Sequence, residues 1–235
     1  MQGIGYDLGA PDLAGKAALC CVGAEDEFAF SCAGCGRCCE NRNDLILSAY
    51  DLYRLSAWMR LPPSVVADAF CDSYYGESSG LPVIRLKPKK NSTHSCPFYQ
   101  KHRCTVHPAR PLACALFPLG QQIEGTAVQY YDQHCEYGNR TESGDLKRYL
   151  SEAGILQRQR FDICFAELCT KAAEILRKIP ENDPGKNMLK KRLRYYFYLN
   201  YSQDEPFAVQ FERNRNRILE LAEKVVDAVK LNAEK

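Results

Sequence analysis

Cysteine is the residue type with chemistry to offer here: the 235-residue chain carries 13 of them. Eight fall in tight groups. The first group, F-A-F-S-C-A-G-C-G-R-C-C, sets Cys32, Cys35, Cys38 and Cys39 in the order C-x2-C-x2-C-C. A C-x2-C step lets a short turn aim two thiolates at one metal, and Gly34 and Gly36 suit that turn because glycine tolerates positive φ. Three cysteines in successive steps form the three-thiolate loop of iron–sulfur proteins, whereas a zinc knuckle needs only two. Neighbouring side chains in extended backbone point to opposite sides. Unless the chain turns sharply, Cys38 and Cys39 are therefore expected to serve different sites, or one of them to be a spectator. The second group, H-S-C-P-F-Y-Q-K-H-R-C-T-V-H-P-A-R-P-L-A-C-A-L-F-P, carries Cys96, Cys104 and Cys114, and Cys135 follows. Eight thiols suffice for two four-coordinate sites, or for one four-thiolate cluster with thiols left over.

An odd cysteine count cannot pair completely into disulfides. The opening MQGIGYDLGAPDL has no basic stretch of the kind that begins a signal peptide, so a reducing, cytoplasmic setting is expected. Metal ligation is the reading for the grouped eight. The scattered Cys20, Cys21, Cys164 and Cys169 read as core, and Cys71 as a non-ligand. Four thiolates exceed the charge of a zinc ion or of an oxidised cubane core by two, so compensating cations are expected nearby. Between Glu77 and Glu124 there is no acidic residue, while Arg85, Lys87, Lys89, Lys90, Lys101, Arg103 and Arg110 lie there with His94, His102 and His107. The lysines read as solvated surface. Arg110, fixed in an R-P step beside a cluster cysteine, reads as a guanidinium supporting the bound cofactor. His107 is an alternative ligand, although the cysteines already suffice.

These groups must be held by ordinary globular elements. Hydrophobic residues make up 46% and charged residues 26% of the chain, with a net charge of +2, which excludes a disordered tail and a polyanion-coating protein. No apolar run approaches the roughly 18 residues of a membrane span. The expected fold class is α+β. A small cysteine-cluster metal-binding domain of short strands and helices covers 28–140, after an N-terminal extension over 1–27. A helical C-terminal region over 141–235 packs on it. Ser48 and Asp51 frame a capping box that predicts a helix over 49–59; L-P-P-S then stops it, and a second helix carries Val65, Val66 and Phe70 inside. Residues 17–31 read as two short strands around an acidic turn. Strands at 81–86 and 126–131 are expected to pair and to present the cysteine loops at one end. Phe161, Cys164, Leu168, Ala172, Ile175 and Ile179 form a helical stripe, widened by Phe165, Cys169 and Leu176. A basic, then aromatic stretch reads as a helix with a wet basic face, and a last helix over 206–233 puts Phe211, Ile218, Leu221, Val225 and Val229 on its buried side. The glycines at 3, 5 and 9 read as a flexible N-terminus, not a nucleotide turn.

The string Cys32-x2-Cys35-x2-Cys38-Cys39, then Cys96-Pro-Phe and Cys104-x-V-H-x-x-R-P-x-x-Cys114-x-x-F-P, resembles the CxxCxxCC cysteine-cluster family from about Phe30 to Cys135. D-L-Y-R-L at 51–55 is similar to the family's Asp-x-x-Arg-Leu helix. Its YkgJ-like members are described as zinc- or iron-chelating, and the family includes the longer flagellin lysine N-methylases. The resemblance implies a metal far more firmly than a reaction. Following the methylases, it implies a protein substrate; neither a membrane nor a nucleic acid is expected. The cofactor is zinc or an iron–sulfur cluster of the 4Fe–4S type, held by Cys32, Cys35, Cys38, Cys39, Cys96, Cys104, Cys114 and Cys135. The three neighbouring cysteines and the aromatics Phe28, Phe30, Phe98 and Phe117 tip the reading toward iron–sulfur. The alternative is a non-enzymatic structural-zinc module whose basic 85–110 segment contacts a protein or nucleic-acid partner.

Overall fold

The computed structural model describes residues 21–133 except 24, 25 and 43, and residues 138–233 except 141–143; at 232 and 233 it describes the backbone only. Cys20, the N-terminal glycines and Cys135 lie outside the described residues. The architecture is α+β, with seven α-helices and small antiparallel sheets among the described residues.

Two sheets are built on hairpins. In the first, β3 (Cys71–Tyr75) pairs with β4 (Pro82–Leu86), and β2 (Ile46–Leu47) takes the other edge of β4. Val83 and Ile84 of the central strand are fully buried. In the second, β7 (Leu119–Glu124) pairs with β8 (Ala127–Asp132), and β1 (Cys21–Val22) lies against β8. The stretches expected to be strands at 81–86 and 126–131 are β4 and β8, but they do not pair with each other. Each is claimed by its hairpin neighbour, because closing a short loop costs less chain entropy than joining distant segments. Those neighbours, C-D-S-Y-Y and L-G-Q-Q-I-E, have too little β-branched character to announce themselves. Of the two strands expected within 17–31, β1 forms, and among the described residues after it there are only isolated bridges at Glu27 and Ser31. Cys21 is exposed on that edge strand, not buried as expected. A third hairpin, β5 (Tyr99–Gln100) with β6 (Arg103–Cys104), turns through Lys101 and His102, both at positive φ.

Helix α1 (Ala49–Met59) forms over its expected span. Ser48 Oγ accepts from the Asp51 N–H (3.2 Å) and Asp51 Oδ2 accepts from the Ser48 N–H (3.0 Å), the reciprocal capping box. Helix α2 (Pro63–Phe70) starts on a proline at its first position, where the missing N–H costs nothing. It buries Val66, while Val65 is 45% exposed, so only one of the paired valines enters the core. Helices α3 (Leu112–Leu116) and α4 (Leu146–Glu152) are short. Helix α5 (Ile155–Arg177) buries Phe165, Leu168, Cys169, Ala172 and Leu176. Cys164 is exposed, contrary to its expected place on the apolar face. The 3.6-residue period runs its line through 165, 168, 169, 172 and 176, which leaves 164 outside. Helix α6 (Pro184–Arg194) runs into a π-helical turn (Tyr195–Leu199) that buries Phe197 and Tyr198, and α7 (Phe207–Ala233) closes the fold.

The larger core cluster joins Leu45, Leu52 and Leu55 to Leu168, Leu176, Phe197, Phe211 and Ile218, so the C-terminal helices complete the core of the first half. A smaller cluster gathers Phe28, Leu116, Leu119, Tyr130, Leu146 and Leu150. No helix among the described residues is long and apolar enough to cross a membrane.

Candidate metal centre

Helix α1 holds the second cysteine segment. Asp51, Arg54 and Trp58, spaced i, i+3 and i+7, lie on one helical face. Asp51 Oδ1 accepts from the Leu112 N–H (2.8 Å), Arg54 Nη2 donates to the Pro108 carbonyl, and Trp58 Nε1 donates to the Thr105 carbonyl (3.2 Å). All three backbone groups belong to the stretch between Cys104 and Cys114. Asp51 also faces Arg158 Nη1 at 2.8 Å, and Arg158 Nε and Nη2 each bind Asp162 at 2.8 Å. Asp51, Arg158 and Asp162 are only 2%, 2% and 5% exposed, so this is an ion triad within the core. Burial pushes the Asp162 carboxyl up against the pull of Arg158. Against the cost of its own burial, Asp51 and Asp162 hold the Arg158 guanidinium above its ordinary value.

The first cysteine segment is shaped by two left-handed glycines. Gly34 (φ 67°) donates its N–H to Cys32 Sγ at 3.4 Å. Gly36 (φ 75°) leads into a one-turn 3-10 helix, Arg37–Cys39, and a Cβ at Gly36 would stand 1.9 Å from the Tyr99 hydroxyl. This is the sharp turn that extended backbone lacks, and it brings the Cys38 and Cys39 sulfurs to 4.0 Å. Two thiolates on one tetrahedral zinc, each about 2.3 Å from the ion, would stand about 3.8 Å apart. The Cys39 carbonyl accepts from the Cys96 N–H (2.7 Å), and the Cys96 carbonyl from the Tyr99 N–H (3.1 Å). Tyr99 in turn pairs with Cys104 across the β5–β6 hairpin.

The thiols act on one another's charge. The hydrogen bond from Cys39 pulls Cys38 down to about 6 against burial, with Arg42 and Arg110 assisting. Cys39 is raised by that same bond, by burial, and by the nearby charges of Cys38, Cys96 and Cys114. Burial pushes Cys114 up to about 12, with Cys96, Cys38 and Cys104 adding to it and Arg42 opposing. Cys104 and Cys96 are raised by burial first; Cys38 and Cys32 add to the former, Cys104 to the latter. Cys32, Cys38, Cys39, Cys96, Cys104 and Cys114 thus share one neighbourhood. Cys35 is exposed, as is Cys32, and its charge reaches the Tyr99 hydroxyl.

Arg110 lies in this neighbourhood. Its Nη1 stands 3.2 Å from His107 Nε2, and the His107 ring is held below its usual value by burial and by Arg110. Arg42 is the cation that sequence reasoning missed. Its Nη1 donates to the Cys38 carbonyl (3.3 Å) and its Nε to Asp44 (2.6 Å). Its place three residues after Cys39 was the available signal, outside the acid-free interval that drew attention. The aromatics expected to pad the site divide between the two cores: Phe98 packs on Phe70 (4.9 Å between ring centroids), whereas Phe28 packs on Tyr149 (4.9 Å) and Phe30 on Phe117 (5.9 Å). Of the remaining cysteines, burial pushes Cys71 up to about 12 and raises Cys169, leaving both as small core residues.

The donor set fits zinc or iron in kind: soft sulfur ligands, two guanidinium groups to offset their charge, and a backbone N–H on one sulfur. Its side chains are gathered and not yet closed, since among the described residues no three His, Cys, Asp or Glu side chains converge tightly enough to hold an ion. The CxxCxxCC family model, described as a putative zinc- or iron-chelating domain, matches residues 31–136. No curated protein and no solved structure matches the chain. The matched span takes in every grouped cysteine, from Cys32 to Cys135. Residues 31–136 are therefore similar to the CxxCxxCC family, described as a putative zinc- or iron-chelating domain.

Proposed function

We propose that the grouped cysteines bind a single thiolate-held metal centre and that its occupant is an iron–sulfur cluster. A cluster takes four thiolates: Cys38, Cys39, Cys96, Cys104 and Cys114 are the candidates for the inner donors, Cys32 and Cys35 stand on the solvent side, and Cys135 is the eighth candidate. The observation that carries this reading is the shared electrostatics of thiols from separate segments around Cys38, the thiol most inclined to ionise. That sharing supports one centre over two independent ones. A bound cluster supplies electron transfer or a Lewis-acidic iron. The chain's own residues do the rest. Gly34 donates to sulfur, Arg42 and Arg110 offset the negative charge, and the Asp51–Arg54–Trp58 face of α1 fixes the segment between Cys104 and Cys114.

A structural zinc is the second reading. It is favoured by how little regular structure the cysteine segments possess, a three-residue turn and two-residue strands, so that a metal would add order. Anaerobic purification with metal and acid-labile sulfide analysis tests both. Brown protein with iron and sulfide in equal amounts is expected. Colourless protein with stoichiometric zinc assigns the second reading, and protein that takes up neither metal overturns both.

A further inference from the structure

The corner where α1 meets α2 leaves apolar side chains exposed. Trp58 is 50% exposed, Leu61 38% and Val65 45%. Beside them a shallow groove is lined by Tyr53, Arg54, Ala57, Trp58, Pro108 and Ala109. Both long polar side chains of the groove are anchored, Arg54 to the Pro108 carbonyl and Trp58 to that of Thr105, so its wall is preorganised. Exposed apolar surface with a charged rim marks interaction sites. Here the adjoining 101–110 stretch carries two cations that the metal centre does not engage, Lys101 and Arg103, and no carboxylate. Asp68, one turn beyond Val65, faces Arg194 at 4.0 Å and marks the far limit of the patch.

We propose that this corner docks an acidic segment of a partner protein, with a leucine or phenylalanine seated against Trp58 and carboxylates facing Arg54 and the 101–110 cations. Charge complementarity selects this occupant. A second copy would set one basic rim against another. A nucleic-acid strand binds on successive stacking faces, whereas here one exposed ring, Trp58, stands beside the aliphatic Leu61 and Val65. This proposal is independent of which metal the cysteines hold.

Trp58 is the sole tryptophan of the chain, so its emission reports on the groove directly. The probe is a synthetic peptide of about twelve residues, glutamates flanking a Leu-Phe centre, titrated into the full chain. A saturable emission change is expected. The exposed-site double variant Leu61→Ser with Val65→Ser, which keeps the reporter, should weaken binding about tenfold, Arg103→Glu about fivefold, and a lysine-for-glutamate peptide should not bind. No change up to about 1 mM peptide overturns the proposal. So does equal binding of the lysine peptide, or unaltered affinity in the variants. Tighter binding of a uridine oligonucleotide or of phosphatidylserine vesicles reassigns the corner to those ligands. Concentration-dependent dimerisation that itself shifts Trp58 emission overturns the proposal in favour of self-association.

Discussion

Replacing Arg158 with methionine tests how the ion triad holds the cysteine-bearing segment to the helical core. Methionine fills a comparable volume, so packing is kept and the guanidinium shared by two buried carboxylates is lost. Breaking a buried pair by removing one partner costs about 3–5 kcal/mol. Asp51 keeps the Ser48 N–H, the Ser48 hydroxyl and the Leu112 N–H, so Asp162 bears most of the penalty and the lower part of that range, about 3 kcal/mol at pH 7, is expected. The pH dependence has a definite sign. Burial already raises Asp162 while Arg158 pulls it down, so losing Arg158 raises it further. A carboxyl raised on folding takes up a proton, so the variant loses stability as pH climbs above the ordinary carboxylate range, and its deficit is smallest at the acid end of that range. Urea unfolding of both proteins at pH 7 and pH 4 reads this out, and adding Asp162→Asn should recover most of the loss at pH 7. A deficit under about 1 kcal/mol at pH 7, or one of equal size at both pH values, would refute the reasoning.

Metal analysis of Cys38→Ala should show loss of metal, whereas Cys164→Ala, altered on the exposed side of α5, should retain it; equal loss in both would show the donors misassigned. Gly36→Ala should cost about 2 kcal/mol or more and lower the metal content, because its Cβ meets Tyr99, while Gly34→Ala, with open space around it, should cost about 1 kcal/mol. Equal costs in urea unfolding would argue against the close approach. His102→Gly relieves a left-handed residue (φ 60°) in the hairpin before Cys104 and should raise stability by about 1 kcal/mol, read by the urea midpoint. Lys186 and Lys190 hold Glu181 down to about 2, so this carboxylate stabilises the fold above pH 4.5 and the benefit fades as pH falls toward 2. The difference in thermal midpoint between wild type and Glu181→Gln should therefore be present at pH 7 and absent near pH 2, and a difference that grows on acidification would contradict it.

The features legible in the sequence are those specified by neighbours along the chain. Helix α1 is readable because Ser48 and Asp51 cap it locally, and the cysteine knuckle because its glycines and spacing have few other uses. Strand existence was readable for β4 and β8, but partner choice was not, since hairpins with weakly patterned β3 and β7 decide it. The roles of Arg54 and Trp58 were hidden for a different reason. Their partners are the carbonyls of Pro108 and Thr105, and backbone acceptors carry no sequence signature. Arg158 and Asp162, four apart on α5, carry no local sign of burial, because their third partner, Asp51, comes from a distant part of the chain. The nearness of Cys38 and Cys39 required a 3-10 turn where extended chain had been assumed.

The larger hydrophobic cluster draws chiefly on α1, β4 and the C-terminal helices and takes in one candidate donor, Cys96, while the knuckle from Cys32 to Cys38 contributes nothing to its buried members. This body is expected to fold without an ion, unlike a zinc finger that collapses only around its metal. The apoprotein should then keep its far-ultraviolet helical signal, and a metal would order the cysteine segments after the helices have formed.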